Sequence, residues 1–247
     1  MRALLTSLML ALCLGNASAE PRKYAVLSLI GDGFLLVRHT METGSSLDRN
    51  VREFIELNNP AIDNATVLAV DRAVKAAQPG AEVVLLGTRD PTLFAAQRKA
   101  LQEGGGSQGI VALLLDVLSG SQATHLILVT KLRHDAMLKL QFRSTGSGKL
   151  EGVGFYMDFA LRTSRSDTGE SGRGFLAPFA YFKVSLIDLR TAATLSEEDV
   201  VASTTRSAAR SDTLHPWDAM SSNEKAGVLQ SMIRSEIARV TPELLRK

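Results

Sequence analysis

The chain predicts a mixed α/β (α+β) domain: a single mixed, largely antiparallel sheet of about five to seven strands covered by helices. Three observations carry this. Short apolar runs such as Tyr24–Ile30, Val83–Leu86 and Leu126–Val129 have the length of buried strands, and the first two end at glycine. Between them lie segments with helical spacing that open on Asn-Pro, Asp-Pro or Ser-x-x-Glu. Beyond Ala123 the apolar runs alternate and follow one another closely, as hairpin strands do.

In chain order, Tyr24, Val26, Ser28 and Ile30 fall on one face and Ala25, Leu27 and Leu29 on the other, so this strand is apolar on both sides and buried. Gly31-Asp32-Gly33 has the φ > 0 freedom of a tight hairpin, which makes Phe34–Val37 the antiparallel partner. Residues 42–60 are polar and turn-rich, a loop or irregular strand. Asn59-Pro60 starts a helix carried by Val67, Val70, Val74 and Ala77 and stopped by Pro79-Gly80. Glu82–Gly87 is a short buried strand, and Asp90-Pro91 opens a second helix that Gly104-Gly105-Gly106 breaks. Ile110–Leu118 is a buried, leucine-dense helix. Ala123–Arg133 is a strand that pairs with Met137–Phe142 across His134-Asp135. Lys149–Phe159 is a strand or a docked loop.

Residues 160–174, with Arg162, Arg165 and Arg173 among Ser, Thr and Gly, lose all apolar period and read as a flexible surface loop. Pro178–Leu189 is a long strand turned by Asp188–Thr191, and Val200–Thr205 returns beside it. Ser221-Ser222-Asn223-Glu224 matches a capping box, and Leu229, Met232, Ile233, Ile237 and Val240 give the last helix its stripe.

The start of the chain has the form of an export signal. Arg2 precedes an apolar stretch to Leu14, and Ala17-Ser18-Ala19 closes it with a small-x-small site. Residues 1–19 are thus read as a signal peptide cleaved after Ala19, and residues 20–247 as one domain in the periplasm of a Gram-negative bacterium or secreted. Leu12 before Cys13 does not suit lipidation. Cys13 is the single cysteine of the chain, so the processed protein has no disulfide, thiolate metal site or cysteine nucleophile. A formal net charge of +2 is no footprint for nucleic acid. No later apolar run reaches the roughly 18 residues of a membrane span.

Short motifs fail on context. Gly105-Gly106-Ser107-Gln108-Gly109 spells G-x-S-x-G, but a polar helix precedes it where a nucleophile elbow needs a buried strand. Gly146-Ser147-Gly148-Lys149 lacks the earlier glycine and the following Ser or Thr of a phosphate loop, with Arg143 and Leu150 in those places. The histidines His39, His125, His134 and His215 have no metal-ligand spacing. No cofactor is expected. Aromatics at 5% of residues argue against a carrier with an aromatic-lined pocket.

Leu36-Val37-Arg38-His39 resembles the L-V-R-H-G start of the histidine phosphatase family. That resemblance implies a phosphoryl-accepting His39, an oxygen-binding Arg38 and a second histidine in the His134-Asp135 pair. Thr40 stands where the family has glycine. A broader resemblance runs through Gly31-Asp32 and Thr43–Asn50, which look like a group of uncharacterised exported proteobacterial proteins. The later helix, the Val83–Gly87 strand and the strand ending Ile187–Thr191 are similar to periplasmic domains of the CsgG, LpoB and TolB N-terminal kind. There the strand ends in D-x-x-T-G; here Ala192 replaces the glycine. This resemblance implies a non-enzymatic cell-envelope protein that binds another envelope protein, with no catalytic, cofactor or metal residues to assign. A phosphomonoesterase using Arg38, His39 and His134 is the alternative.

The leader reading makes a measurable prediction. Intact mass of the exported form should place the N-terminus at Glu20, and its thermal melt should not move with dithiothreitol. A retained Met1 or a diacylglyceryl-modified Cys13 would contradict it.

Overall fold

The structure, a computed structural model, describes residues 22–39, 50–104, 106–140, 143–165 and 167–246. The leader with Cys13, Thr40 and the Thr43–Arg49 part of the resemblance lie outside the described residues. The first part of the chain forms β1 (Lys23–Ser28), β2 (Gly33–His39), β3 (Val51–Glu56), α1 (Ala61–Ala77), β4 (Glu82–Leu85), α2 (Pro91–Glu103) and α3 (Gln108–Leu118). The middle forms β5 (His125–Lys131), β6 (Arg133–Asp135), β7 (Leu138–Lys139), β8 (Ser144–Thr145) and β9 (Lys149–Ser164). Then come β10 (Ser171–Asp188), β11 (Ala193–Ser203), β12 (Arg206–Ser207) and α4 (Ser222–Leu245).

The sheet is mixed and has ten strands, more than the five to seven expected, with β7 and β8 forming a separate pair. β10 is its spine. One edge of β10 bonds β9 along Ser171–Tyr181 and β5 along Phe182–Asp188, both antiparallel. The opposite edge bonds β11 and β12, also antiparallel. β5 and β9 therefore lie end to end. β1 runs parallel to β5, and β2 runs parallel to β9. β4 closes one side beside β1, and β3 closes the other beside β2.

This topology corrects the reading of Tyr24–Ile30 and Phe34–Val37 as a hairpin. β1 and β2 do not pair. They run in the same direction and hand over from one half of the sheet to the other through Gly31-Asp32-Gly33. Neither Gly31 nor Gly33 has positive φ. Both are required by close approach: a Cβ on Gly31 would come to 2.6 Å from Asp63 Oδ2, and one on Gly33 would strike the Phe54 ring.

The helices settle on both faces of β1 and β5. α1 and α4 cover Tyr24, Val26, Ile30, Ile127 and Val129. α2 and α3 cover Ala25, Leu27, Leu29, Leu126 and Leu128. The two-faced apolar pattern of β1 is thus used as read. Helix ends follow local chemistry. Asp90 accepts from Thr92 N at α2 and Gly104 ends that helix in the left-handed region, while Ser221 and Glu224 form a full capping box at α4. α1 starts one residue later than expected, with Asn59 Oδ1 accepting from Ala61 N.

Three other expectations change. β4 is a half-exposed edge strand, not a buried one. Of the Met137–Phe142 stretch, residues 141–142 lie outside the described residues and Met137–Leu140 does not pair with β5; β6 pairs with β9, and β7 with β8. The 160–174 stretch is largely strand, with Arg162 opposite Arg173 across the β9–β10 hairpin. Its apolar period is missing because the hairpin tip is held by backbone pairing and by polar contacts such as Arg165 with Asp167 and Glu170. No helix among the described residues is long and apolar enough to cross a membrane.

β9 passes close to β2 at Gly154, where a Cβ would collide with the Leu35 carbonyl oxygen and come to 2.8 Å from Phe179 Cζ. Gly154→Ala should therefore cost about 1–3 kcal/mol, read as a lower urea midpoint at unchanged slope. Gly80→Ala, whose Cβ would meet nothing within 4 Å, should stay within about 0.5 kcal/mol of the parent.

Candidate functional site

The handover between the half-sheets gathers buried polar groups. β5 ends at Lys131, and Gly152, at φ 64°, begins the part of β9 that takes its place on β10. Leu132 bridges the gap: its N–H donates to the Tyr181 carbonyl at 3.0 Å, and its carbonyl accepts from Gly152 N at 3.3 Å. On the other row, Asp32 lies between β1 and β2. Its carboxylate is 2.5 Å from Lys131 Nζ and 3.7 Å from Arg98 Nη1. Both Asp32 and Lys131 side chains are nearly buried, at 11% and 7% exposure. Lys131 Nζ also sits 4.6 Å from the centre of the Phe54 ring.

Two helices brace this pair. From α2, the buried Gln97 donates through Nε2 to the Leu29 carbonyl at 2.7 Å and accepts through Oε1 from Lys131 N at 2.8 Å. It thereby joins β1 to β5 past their last backbone rung, Leu29 N to Val129 O at 2.9 Å. From α1, Asp63 Oδ1 accepts from Ser28 Oγ at 2.6 Å and from Gly31 N at 2.9 Å. Burial pushes the Asp63 carboxyl above its ordinary value, against the pull of these two hydrogen bonds, and nearby Asp32 pushes the same way.

The sequence placed none of Asp63, Gln97 or Lys131 at a site. A signal was present: Asp63 is in phase with Val67, Val70 and Val74, and Gln97 with Leu93 and Leu101, so each is a polar residue on a buried helical stripe. A cavity of about 190 Å³ opens beside Lys131, lined by Gln97, Thr130, Arg133 and Lys183. Its cations are engaged: Lys131 with Asp32, Lys183 with Glu197 and Asp199, and Arg133 with Glu151 at 4.0 Å.

The structure does not join the phosphatase-like residues. Arg38 pairs with Glu53 at 3.8 Å on β3. His39 Nδ1 lies 3.0 Å from Asn50 Oδ1 and 3.0 Å from Ser147 Oγ, and its ring stacks on Tyr156. His134 Nδ1 instead meets the Asp135 carbonyl oxygen at 2.9 Å, and its ring stands edge-on to Tyr181. The Asp135 carboxylate is taken by Lys149 at 2.9 Å, and that hydrogen bond holds its pKa below the ordinary value. No described contact links His39 to His134. Gly105 of the G-x-S-x-G spelling lies outside the described residues; Ser107 heads α3, not a strand-to-helix elbow. Among the described residues no group of three or more His, Cys, Asp or Glu side chains could hold a metal ion.

An open strand edge lies on the far side of β2. β3 pairs only with β2 among the described strands. Nearly all of it is exposed, including Val51 at 47% and Phe54 at 45%.

The handover predicts a pH signature. A carboxyl whose folded pKa is raised above the unfolded 3.8 contributes most below 3.8, and stability falls as pH rises through the folded value. Asp63→Asn keeps an oxygen for Ser28 and Gly31 without the charge. It should abolish that fall and match or exceed the parent at neutral pH. Asp63→Ala strands both donors and should cost about 1–3 kcal/mol. Denaturant midpoints between pH 4 and 8 test both; an Asn variant as weak as the Ala variant at neutral pH would contradict the assignment.

No family model matches this chain, and no curated protein sequence matches it. Solved structures resemble it loosely. The PelC dodecamer from Paraburkholderia phytofirmans is 11% identical, with 90% of this chain and 86% of that chain covered and a TM-score of 0.29. The hypothetical protein CT253 from Chlamydia trachomatis is 12% identical over 92% of this chain and 99% of that chain, with a TM-score of 0.35. Protein XCC0632 from Xanthomonas campestris, described as DUF330, is 9% identical over 92% and 85%, with a TM-score of 0.31. None of these three is named as a CsgG, LpoB or TolB protein, and TM-scores of 0.29–0.35 are too low to transfer a family or an activity.

Proposed function

We propose that this chain is an exported, non-enzymatic cell-envelope protein that acts by binding another protein. The observation that carries the reading is β3. It is an outer strand with a backbone edge that no described strand covers, and it presents Val51 and Phe54 to solvent. An open edge of this kind is a template for strand addition by a partner, where main-chain hydrogen bonds give affinity and alternate side chains give selectivity. The polar groups at the handover support the same reading, because they are occupied in holding strands in place. Gln97 and Asp63 bond backbone groups, and Lys131 is neutralised by Asp32. Export rests on the leader-like first 19 residues, which fit a signal peptide.

A photoreactive phenylalanine analogue at Val51 tests this in cells. The expected result is one discrete adduct with a different protein of the envelope fraction, lost when Phe54→Lys is added. Adducts at Val51 no stronger than at a control position on the exposed face of α4, such as Arg234, would sink the reading. So would turnover of p-nitrophenyl phosphate that disappears in His39→Ala.

A further inference from the structure

The strongest unassigned feature lies at the far end of β9 and β10 from the handover. Asp158 Oδ1 accepts from Ala160 N and Leu161 N, each at 2.7 Å, and so holds a bulge in β9. Gly174, at φ 87°, packs against the Asp158 carbonyl on the other strand. A bulge bends its strand and turns the chain beyond it. The re-aimed hairpin tip faces β12, where Thr163 Oγ1 meets Ser207 Oγ at 2.8 Å. The result is a concave basin of about 660 Å³, with the buried Phe175 at its floor.

The lining of this basin is cationic: Lys139, Arg143, Arg162, Arg165, Arg206 and Arg210, against Asp167 alone. Arg165 is already committed. It pairs with Asp167 and with Glu170, each at 2.9 Å. The hydrogen bond from Arg165 holds the Asp167 carboxyl down to about 2, so this acid stays charged and occupied. Among the described residues no carboxylate forms an ion pair with Lys139, Arg143, Arg162, Arg206 or Arg210; Asp167 feels Arg210, and Glu224 feels both Arg210 and Arg206, only at longer range. The Arg206 guanidinium is held in place by the Thr205 carbonyl at 3.1 Å.

This concentration is not a reflection of overall charge. With 28 basic against 26 acidic residues, the rest of the chain is slightly acidic once these five cations are set aside. Like charges gathered in a concavity repel one another and raise the local potential, which draws in anions. The smaller cavity beside Lys131 shows the other outcome, where every cation has its acid. Four of the five cations without an acid are arginines, whose planar forks suit bidentate contact with phosphate oxygens. The basin has the size of a small-molecule site, roughly 300–1,000 Å³, and exceeds what one oxyanion fills.

We infer that the basin lined by Lys139, Arg143, Arg162, Arg206 and Arg210 binds a compact ligand bearing at least two phosphate-class charges. The ligand is either soluble or the headgroup of an anionic lipid.

Tripolyphosphate is the probe, titrated at low salt into the purified mature chain. It should bind and raise the melting temperature beyond the effect of chloride at matched ionic strength. Arg162→Gln and Arg210→Gln should each weaken binding by about tenfold, and the double variant by more than either alone, since each charged hydrogen bond lost is worth about that much. The ligand-free melting temperature of that variant should stay level or rise as repulsion is relieved. Arg173→Gln, opposite Arg162 but outside the basin, should leave binding unchanged. Flotation with phosphatidylglycerol vesicles separates the sources. Vesicle binding that tripolyphosphate competes away assigns a lipid headgroup, and tripolyphosphate binding without vesicle binding assigns a soluble ligand. Three results would overturn the inference: stabilisation no greater than by chloride, equal loss in Arg173→Gln, or tighter binding of an acidic peptide such as oligoglutamate than of tripolyphosphate.

Discussion

The ion pair between Asp32 and Lys131 sits where this fold could come apart. β10 is long enough to carry two strands end to end on one edge, and the sheet splits where β5 stops and β9 begins. The neighbouring row splits at the same level, where β1 passes into β2. A split through two rows leaves backbone groups without a ladder partner, which is costly in a buried place. The chain fills it with side chains. Gln97 supplies a carbonyl and an amide, Asp63 a carboxylate oxygen, and Lys131 a charge that Asp32 balances. Removing one member of such a buried pair leaves the other uncompensated, an effect of about 3–5 kcal/mol.

The same device explains the glycines. Gly31 and Gly33 are needed because Asp63 and Phe54 approach the backbone from either side. Gly152 is needed because β9 turns away there against the aliphatic stem of Lys131. Between them, a chain that reads as a hairpin becomes a strand that continues into the second half-sheet. Each half then gains its own cover: helices on both faces of β1 and β5, and Leu138 of β7 with Leu150 of β9 against Tyr156, Phe179 and Tyr181.

Charge is distributed unevenly over this frame. At the handover, cations and acids are matched and serve the backbone. At the hairpin tip they are not, and guanidinium groups face a shared hollow. The third surface, the outer edge of β3, owes its character to backbone groups and apolar side chains. The two surfaces differ in character, an open strand edge with apolar side chains at β3 and a cationic hollow at the tip.

The local elements were legible because their signals are local. The Asp90 and Ser221 caps, the Gly104 stop, the stripe of Leu229, Ile233, Ile237 and Val240, and the two-faced burial of β1 all rest on residues a few positions apart. The strand direction after Gly31-Asp32-Gly33 was not legible, because glycine is equally suited to a reversal and to a close approach, and only the presence of Asp63 and Phe54 decides between them. Nor were the ten strands, since the β9–β10 tip is held by backbone pairing and carries no apolar period. For the candidate sites, the sequence by itself determined that Asp63 and Gln97 interrupt buried stripes and that arginines crowd residues 162–173. Only the tertiary structure decided that Lys131 meets Asp32 and that Lys139, Arg143, Arg206 and Arg210 join Arg162, because those meetings come from chain segments far apart in sequence that only the folded chain brings together.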